Sequence, residues 1–160
     1  MAVDIVTARG HPNIKATHKS TLEITTEGHL TPKGDCIIAV NADKALADLH
    51  PALKEYIRRG YPLAIAIMVK DDPNSIDVFF AKGHRSLQLS DKKSIVVRKS
   101  NYIDARTLAI KATKAAKDID RELVEKMKDP STVVKIIIAS APTRLETIQI
   151  LFEHLQKQSL

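Results

Sequence analysis

The segment of residues 10–36 gathers three of the six histidines and the single cysteine of this 160-residue chain. Imidazole and thiol groups can transfer protons, hold metals or attack electrophiles near neutral pH, and loops are where proteins present such groups. We predict that His11 and His18 act as catalytic acid–base or hydrogen-bonding groups. The alternative is a structural role in which both imidazoles bond only to the backbone.

A metal site is not predicted from these side chains. His11 and His18 are separated by non-helical chain, and neither a Cys-x-x-Cys nor a His-Glu-x-x-His motif occurs. Cys36 opens an apolar strand beside Asp35, a neighbour that opposes formation of a thiolate. We therefore predict a buried thiol without a nucleophilic role, and no cofactor is assigned.

Basic and hydroxyl side chains precede two predicted helices, at residues 98–101 and 142–144. The first backbone N–H groups of a helix have no intrahelical partner, and together with Ser, Thr and Arg side chains they suit a phosphate or carboxylate. The predicted ligand-binding residues are Arg98, Ser100, Asn101, Arg106, Thr143 and Arg144. The alternative is ordinary helix capping, because Ser, Asn and Thr are preferred at any helix start. No glycine-rich phosphate loop is present, which argues against the familiar nucleotide-binding folds.

The strand predictions rest on short apolar or alternating runs between turn residues. They cover residues 2–8, 17–25, 36–40, 62–69, 76–81, 86–89, 94–98 and 133–141. Helices are predicted over 43–49, over 51–59 between Pro51 and Gly60, and after a capping box at Thr143–Glu146. In the last helix the residues predicted to face the core are Leu145, Ile148, Phe152 and Leu155, with Ile150 on the opposite side.

The apolar residues of 102–128 recur at spacings of three and four, which predicts one long helix. With the strands at 94–98 and 133–141, this helix would form a right-handed parallel β-α-β crossover. Both strands would then end at one sheet edge, where ligands collect in open sheets. We predict a fold of the α/β or α+β class: a mixed β-sheet covered by helices, with a C-terminal β-α-β-α unit.

Composition favours one globular domain spanning residues 1–160. An apolar fraction of 44% with 28% charged residues is ordinary for such a domain, and no internal repeat or linker is evident. No run approaches the ~18 apolar residues of a membrane span, and the N-terminus lacks the pattern of a signal peptide. One cysteine agrees with a reducing compartment, so we expect a cytoplasmic protein. Abundant isoleucine with four Asn and four Gln residues is typical of heat-adapted proteins.

The net charge of +6 is concentrated in residues 51–100, which carry ten Lys and Arg residues against five Asp and Glu residues. A basic surface attracts anions, including nucleic acid. Aromatic residues make up 4% of the chain and no nucleic-acid-binding motif is present, so this class of function is the alternative and not the main prediction. Its basic residues would be Arg58, Arg59, Lys82, Arg85, Lys92, Lys93 and Arg98.

The chain resembles the archaeal family described as domain of unknown function 371 in five blocks. They are GHPN at 10–13, TH at 17–18, LTPKGDCI at 30–37, NADKALADL at 41–49 and RKSNYIDARTLAIKA at 98–112. The resemblance covers most of residues 5–143 and implies an archaeal, cytoplasmic, single-domain protein. It implies no activity, cofactor or catalytic residue, because the family has none assigned.

Together these observations predict a small-molecule-binding protein or enzyme for an anionic, for example phosphorylated, ligand. His11 and His18 would approach that ligand if the N-terminal turn folds onto the sheet edge. A nucleic-acid-binding module and a structural subunit that serves a protein partner are the alternatives. Ile150 is the residue expected to contribute to a homo-oligomer contact. The residues alone do not distinguish binding from catalysis.

Overall fold

The structure is a computed structural model that describes residues 2–158, with eight β-strands and three α-helices in that range. The strands are β1 (Val3–Arg9), β2 (Thr21–Thr25), β3 (Ile37–Ala39), β4 (Pro62–Val69), β5 (Asp72–Lys82), β6 (Ser94–Arg98), β7 (Thr107–Ala109) and β8 (Val133–Ser140). The helices are α1 (Pro51–Arg58), α2 (Arg121–Met127) and α3 (Arg144–Gln158). Within the described residues, no helix is both long and apolar enough to span a lipid bilayer.

The strands form two four-stranded sheets that close around one core. The first sheet has the order β1-β8-β4-β5 and the second has the order β3-β2-β6-β7. Paired backbone hydrogen bonds join the sheets at both sides, between Arg9 and Val40 and between Lys82 and Ile110. The two sheets thus form one barrel. The protein belongs to the α+β class, which is one of the two fold classes predicted from the sequence.

Alternation along the strands explains how the first sheet is buried on both faces. In β4 the residues Leu63, Ile65 and Ile67 point into the barrel core, while Ala64 and Ala66 face outward toward α3. Small outward side chains allow a helix to approach the sheet closely, and burial of this apolar surface is the main favourable term in folding. Helix α3 therefore covers the outer face of β4 and β8.

The two halves of the chain repeat the same element order, β-β-β-α-β, and the same internal contacts. The ion pair of Lys44 with Asp4, at 2.5 Å, has its counterpart in Lys114 with Asp77, at 2.6 Å. Left-handed backbone recurs at equivalent positions, with φ of 50° and 52° at Ala16 and Leu89 and of 52° and 51° at Asn41 and Lys111. The expectation of no internal repeat was therefore wrong, because the two halves share geometry with little sequence identity.

Strand register places a pseudo-two-fold axis through the centre of both sheets. Glu23 pairs with Val96 between β2 and β6, and Ala66 pairs with Ile137 between β4 and β8. In each pair, the two residues hold the same position in their own half. The two halves also interlock, since β1 pairs with β8 and β5 pairs with β4. A residue in one half thus has an identifiable counterpart in the other, which provides an internal comparison for any candidate site.

The predicted long helix over 102–128 is wrong. This range contains β7, a short 3₁₀ turn at Ala116–Asp118 and the seven-residue α2. Most residues of its apolar stripe are buried, but a strand, turns and a short helix bury them in succession, so the spacing of three and four did not require one helix. The predicted parallel crossover is also wrong, because β8 is antiparallel to both β1 and β4 and lies in a different sheet from β6.

Three smaller predictions also differ from the structure. Residues 86–89 form no strand, residues 17–20 precede β2 as a turn, and the helix predicted at 43–49 is a 3₁₀ turn over Leu46–Asp48. In α3, the predicted core face is wrong at Leu145 and Phe152, which are 66% and 55% exposed, whereas Leu155 packs against the sheet as predicted. Two overlapping stripes with helical spacing exist in α3, and the one that contains Thr147, Ile150 and Leu151 faces the sheet.

Candidate functional site

A cavity of about 130 Å³ lies where the start of α3 meets the ends of β5 and the first residues of β4. Thr143 caps α3, because its hydroxyl accepts a hydrogen bond from the Glu146 amide at 3.2 Å. This fixes the first turn of the helix, from which Arg144 extends over the ring of Phe80 at 4.3 Å. The residues that line the cavity are Pro62, Leu63, Phe80, Ala81, Lys82, Lys111, Thr113, Arg144 and Thr147.

Three of these lining residues are cations that come from separate elements. Lys82 ends β5, Lys111 follows β7, and Arg144 begins α3. Within residues 2–158, none of the three forms an ion pair with a carboxylate, whereas Lys114, close to Lys111 in sequence, is paired with Asp77. Unpaired like charges around one cavity repel each other and attract an anion. The cavity therefore has the electrostatic character of an anion site.

The equivalent positions in the first half lack this concentration of positive charge. Lys82 corresponds to Arg9, since both form the bridge that joins the two sheets. Lys111 corresponds to Asn41. Thr113 corresponds to Asp43, because the amide of each donates a hydrogen bond to the equivalent strand of its own half, β5 for Thr113 and β1 for Asp43. The fold accepts a neutral side chain and a carboxylate at these positions, so the cations of the cavity are not needed to form it.

Lys111 holds its position at an energetic cost. Its φ of 51° lies in the left-handed region, which asparagine tolerates better than lysine, and its counterpart is Asn41. The buried residues Ala16 and Leu89 share this left-handed backbone, so the conformation is a feature of the repeated fold. At Lys111 the fold imposes it on a residue type that disfavours it, and Asn is the residue that the turn accommodates best.

The histidines near the N-terminus form hydrogen bonds with the backbone. The Nδ1 atom of His11 accepts a hydrogen bond from the Asn13 amide at 3.0 Å, and that of His18 accepts from the amides of Ser20 and Thr21 at 3.2 and 3.1 Å. In the second half, His84 accepts from Ser86 in the same way as His11. These bonds close turns, as Asx side chains commonly do. These contacts agree with the alternative stated for His11 and His18, in which both imidazoles have a structural role.

A second group of predicted residues lies on the outer face of the second sheet. Arg98 pairs with Asp104 at 2.9 Å and donates to the Thr107 hydroxyl at 3.1 Å, while its guanidinium covers the exposed ring of Tyr102. Burial would raise the pKa of Asp104, but hydrogen bonds from the Arg106 amide, Thr107 and Arg98 lower it overall. Arg98 is thus committed to holding the loop that follows β6.

Arg106 contacts a buried carboxylate in this same region. Glu23 is 8% exposed, and its neighbours are all distant: the Ser94 hydroxyl at 3.4 Å, Arg106 Nη1 at 3.5 Å and Cys36 Sγ at 3.8 Å. Burial raises the pKa of Glu23, and Arg106 offsets this only in part. Burial, with Glu23 and Asp35 nearby, also raises the pKa of Cys36 to about 11. A thiol with that pKa is a poor nucleophile, but Cys36 is half-buried and not fully buried as predicted.

Comparison with known proteins identifies the family. The family model described as "Domain of unknown function (DUF371)" matches residues 6–141. The chain belongs to this family. A relative within it, the uncharacterized protein MJ0206 of the archaeon Methanocaldococcus jannaschii, is 45% identical over 135 residues, which is 84% of this chain and 98% of the relative. The predicted resemblance to this archaeal family is confirmed.

The residues matched by the DUF371 model include most of those that line the cavity, but the match ends before α3, which forms one side of it. Lys82, Lys111 and Thr113 lie inside the matched residues, and Arg144 lies beyond them on α3. Helix α3 also has no counterpart in the first half, where β4 leads directly into β5. The helix thus adds a third cation to a pair of lysines carried by the family-matched part of this chain.

The structure brings few of the predicted site residues together. Arg144 lines the cavity, and Thr143 caps the helix that carries it. Ser100 lies in a turn, where its carbonyl accepts from the Lys111 amide at 3.1 Å and its hydroxyl accepts from the Tyr102 amide. Asn101 is exposed in that turn, so neither residue begins a helix. The proposed convergence of two helix starts was wrong because the helix over 102–128 does not exist.

Sequence reasoning missed Lys111 and Thr113. It considered Lys82 in the nucleic-acid alternative and in the basic turn at residues 82–85, which could close over a negative ligand or be a solvated loop. The false helix placed Lys111 and Thr113 away from any predicted site, whereas both follow β7 beside the end of β5. The available signal was the pair of similar stretches Arg9-Gly10-His11 and Lys82-Gly83-His84. That pair marks the repeat, and the repeat places the residues after β3 and β7 beside those stretches.

The internal repeat offers a direct test of the role of His18. Its counterpart is Asp91, whose Oδ2 accepts from the amides of Lys93 and Ser94 at 3.0 and 2.7 Å. We expect His18→Ala to destabilise the protein by about 1 kcal/mol, the usual net value of such hydrogen bonds, and His18→Asp to stay within ~0.5 kcal/mol of wild type because the carboxylate can form the same turn. Urea unfolding measures both. Equal losses in the two variants would contradict the assigned turn-closing role.

Proposed function

We propose that this DUF371 protein binds a small anionic molecule in the cavity lined by Lys82, Lys111 and Arg144. The observation that carries the proposal is the convergence on one concave site of three cations that have no carboxylate partner among residues 2–158. Ligand sites are typically concave and mostly apolar with a few convergent polar groups, and this cavity has that character on a small scale. We place the activity in the cytoplasm, as the single cysteine suggests.

The first turn of α3 adds polar groups to the cations. The N–H groups of Arg144 and Leu145 are the first of the helix and have no intrahelical partner, and the positive end of the helix dipole lies at the same place. Thr113 reaches the cavity from the opposite wall, where its hydroxyl accepts from the Phe80 amide at 3.0 Å. These groups support binding of an oxyanion. They include no general base placed for catalysis, so binding is the activity we propose.

A panel of anions tests this proposal by thermal unfolding. A ligand at about ten times its Kd should raise the melting temperature by roughly 3–6 °C, because binding to the folded state alone adds free energy of unfolding. The panel contains inorganic phosphate, sulfate, citrate and acetate at constant ionic strength, with chloride as the reference. Arg144→Ala should abolish the increase, whereas Arg9→Ala, which removes the counterpart of Lys82, should retain it. The proposal fails if no anion changes the melting temperature or if Arg9→Ala and Arg144→Ala behave alike.

A nucleic-acid-binding module is the second candidate, and the contacts of its residues weaken it. Arg58 donates to the carbonyls of Leu87 and Gln88, Arg59 pairs with Glu55, Lys93 lies 3.9 Å from Glu27, and Arg98 pairs with Asp104. Of the seven predicted residues, four form no ion pair within residues 2–158: Arg58, which is held by the two carbonyls, and Lys82, Arg85 and Lys92. A gel shift that weakens steeply with salt would support this candidate over the first.

Self-association is a separate hypothesis. The structure changes which residues would form the contact between two copies. Ile150 packs against the sheet, whereas Leu145 and Phe152 are the large apolar side chains that α3 exposes. Sedimentation equilibrium of wild type and Phe152→Glu addresses it: a monomeric wild type rules the hypothesis out.

A further inference from the structure

We infer that the cavity selects a doubly charged phosphate monoester over a singly charged carboxylate. The inference rests on the proposed function, because it names the class of ligand for the same cavity.

The charge of the cavity matches a dianion better than a monoanion. Lys82, Lys111 and Arg144 carry three positive charges, and within the described part of the chain no Asp or Glu side chain lines the cavity. All three side chains are exposed, so solvent screens their charges, and a carboxylate compensates only one of the three where a dianion compensates two. A phosphate monoester offers two charges and three terminal oxygens. Arginine can bind two of those oxygens at once, and each lysine can bind as a point charge.

The remaining walls locate the organic part of the ligand. Pro62 and Phe80 form an apolar side of the cavity, and the Arg144 guanidinium lies over the Phe80 ring. With about 130 Å³ available, the cavity is small beside the several hundred Å³ of sites for drug-sized ligands. The fitting ligand is therefore a phosphate ester of a short organic group, whose carbon atoms contact Pro62.

Comparison of the two halves identifies Lys111 as the residue that sets this preference. Its counterpart Asn41 has the same left-handed backbone and a neutral side chain that favours it. Lys111→Asn therefore removes one charge from the cavity without straining the turn. The substitution gives this position the residue that the first half of the chain carries at the equivalent position.

Isothermal titration calorimetry with ethyl phosphate tests the inference. Its second pKa is near 6, so the dianion rises from about a tenth to nearly all of the ligand between about pH 5 and pH 8, and we expect binding to tighten by roughly tenfold over that range. Sulfate does not change its charge in this range and reports any titration of the protein. Propionate, a carboxylate with a similar organic group, should bind at least ~10-fold more weakly than ethyl phosphate at the higher pH.

The variants complete the test. Lys111→Asn should weaken ethyl phosphate binding by about tenfold or more while bringing propionate and ethyl phosphate closer in affinity, because one charge–charge contact is removed. Arg9→Ala should leave both affinities unchanged. Propionate binding as tightly as ethyl phosphate, or ethyl phosphate binding that does not change relative to sulfate with pH, overturns the dianion inference and leaves the proposed function intact. If no anion binds at any pH, both fail.

Discussion

Replacing Gly83 by alanine is expected to destabilise the protein by more than about 3 kcal/mol, as overpacking against backbone does when nothing can move aside. A methyl group at this position would overlap the carbonyl oxygen of Ile57 in the last turn of α1. Ile57 is fully buried in the core, and the Gly83 amide donates to the Tyr61 carbonyl at 2.9 Å, so neither side can shift freely. Urea unfolding of the variant measures the loss.

The same chain provides a repeat of this experiment and a control. Gly10 is the counterpart of Gly83, and a methyl group there would overlap the backbone carbonyls of Met127 and Asp129, so Gly10→Ala should be comparably costly. Gly60 has a φ of 81° but open space around it, so Gly60→Asn should cost less than ~1 kcal/mol. A Gly83→Ala protein as stable as Gly60→Asn would show that the loops and helices of the two halves do not interlock as described.

Replacing Asp77 by alanine is expected to cost about 2–3 kcal/mol, below the 3–5 kcal/mol of a fully buried pair because Lys114 is partly exposed. Asp77 is 8% exposed, its Oδ1 lies 2.6 Å from Lys114 Nζ, and its Oδ2 accepts from the Asp120 amide at 2.8 Å, just before α2. The variant leaves both donors without their partner. Chemical unfolding, with Glu125→Ala as the control, measures the effect.

The control and a double variant make this prediction specific. Glu125 forms a surface pair with Lys128 at 2.8 Å, and its loss should change stability by no more than ~0.5 kcal/mol. Adding Lys114→Met to Asp77→Ala should restore part of the loss, because the unpaired ammonium is then removed. Asp77→Ala and Glu125→Ala with equal, small effects would contradict the importance of the paired Asp–Lys contact that both halves contain.

Local signals in the sequence predicted much of the fold. Pro51 and Gly60 bracket α1, the turn residues after Val69 separate β4 from β5, and Thr143 caps α3 as predicted. Each of these depends on contacts within a few residues. The long helix failed because Leu108, Ala112 and Ala116 are buried by contacts far along the chain, and an apolar spacing of three and four does not show which partner buries each residue.

The candidate site was predicted less well than the fold, for a physical reason. Arg144 was identified because helix starts bind anions, which is a local property. Lys82 and Lys111 join it only through the bridge between Lys82 and Ile110, a pairing between the ends of two sheets. His11 and His18 attracted attention by residue type, but a histidine that closes a turn has the same sequence appearance as one that transfers a proton. In the structure, the Nδ1 atoms of both histidines accept hydrogen bonds from backbone amides, a contact that residue type alone does not predict.

An NMR titration of isotope-labelled protein with inorganic phosphate tests the central claim most directly. We expect amide shifts that saturate and are centred on Lys82, Lys111, Thr113 and Arg144, with the amides of Arg9, Asn41 and Asp43 in the equivalent positions unchanged. Shifts centred on His11, His18 or Arg106, or equal shifts in both halves of the chain, would contradict it.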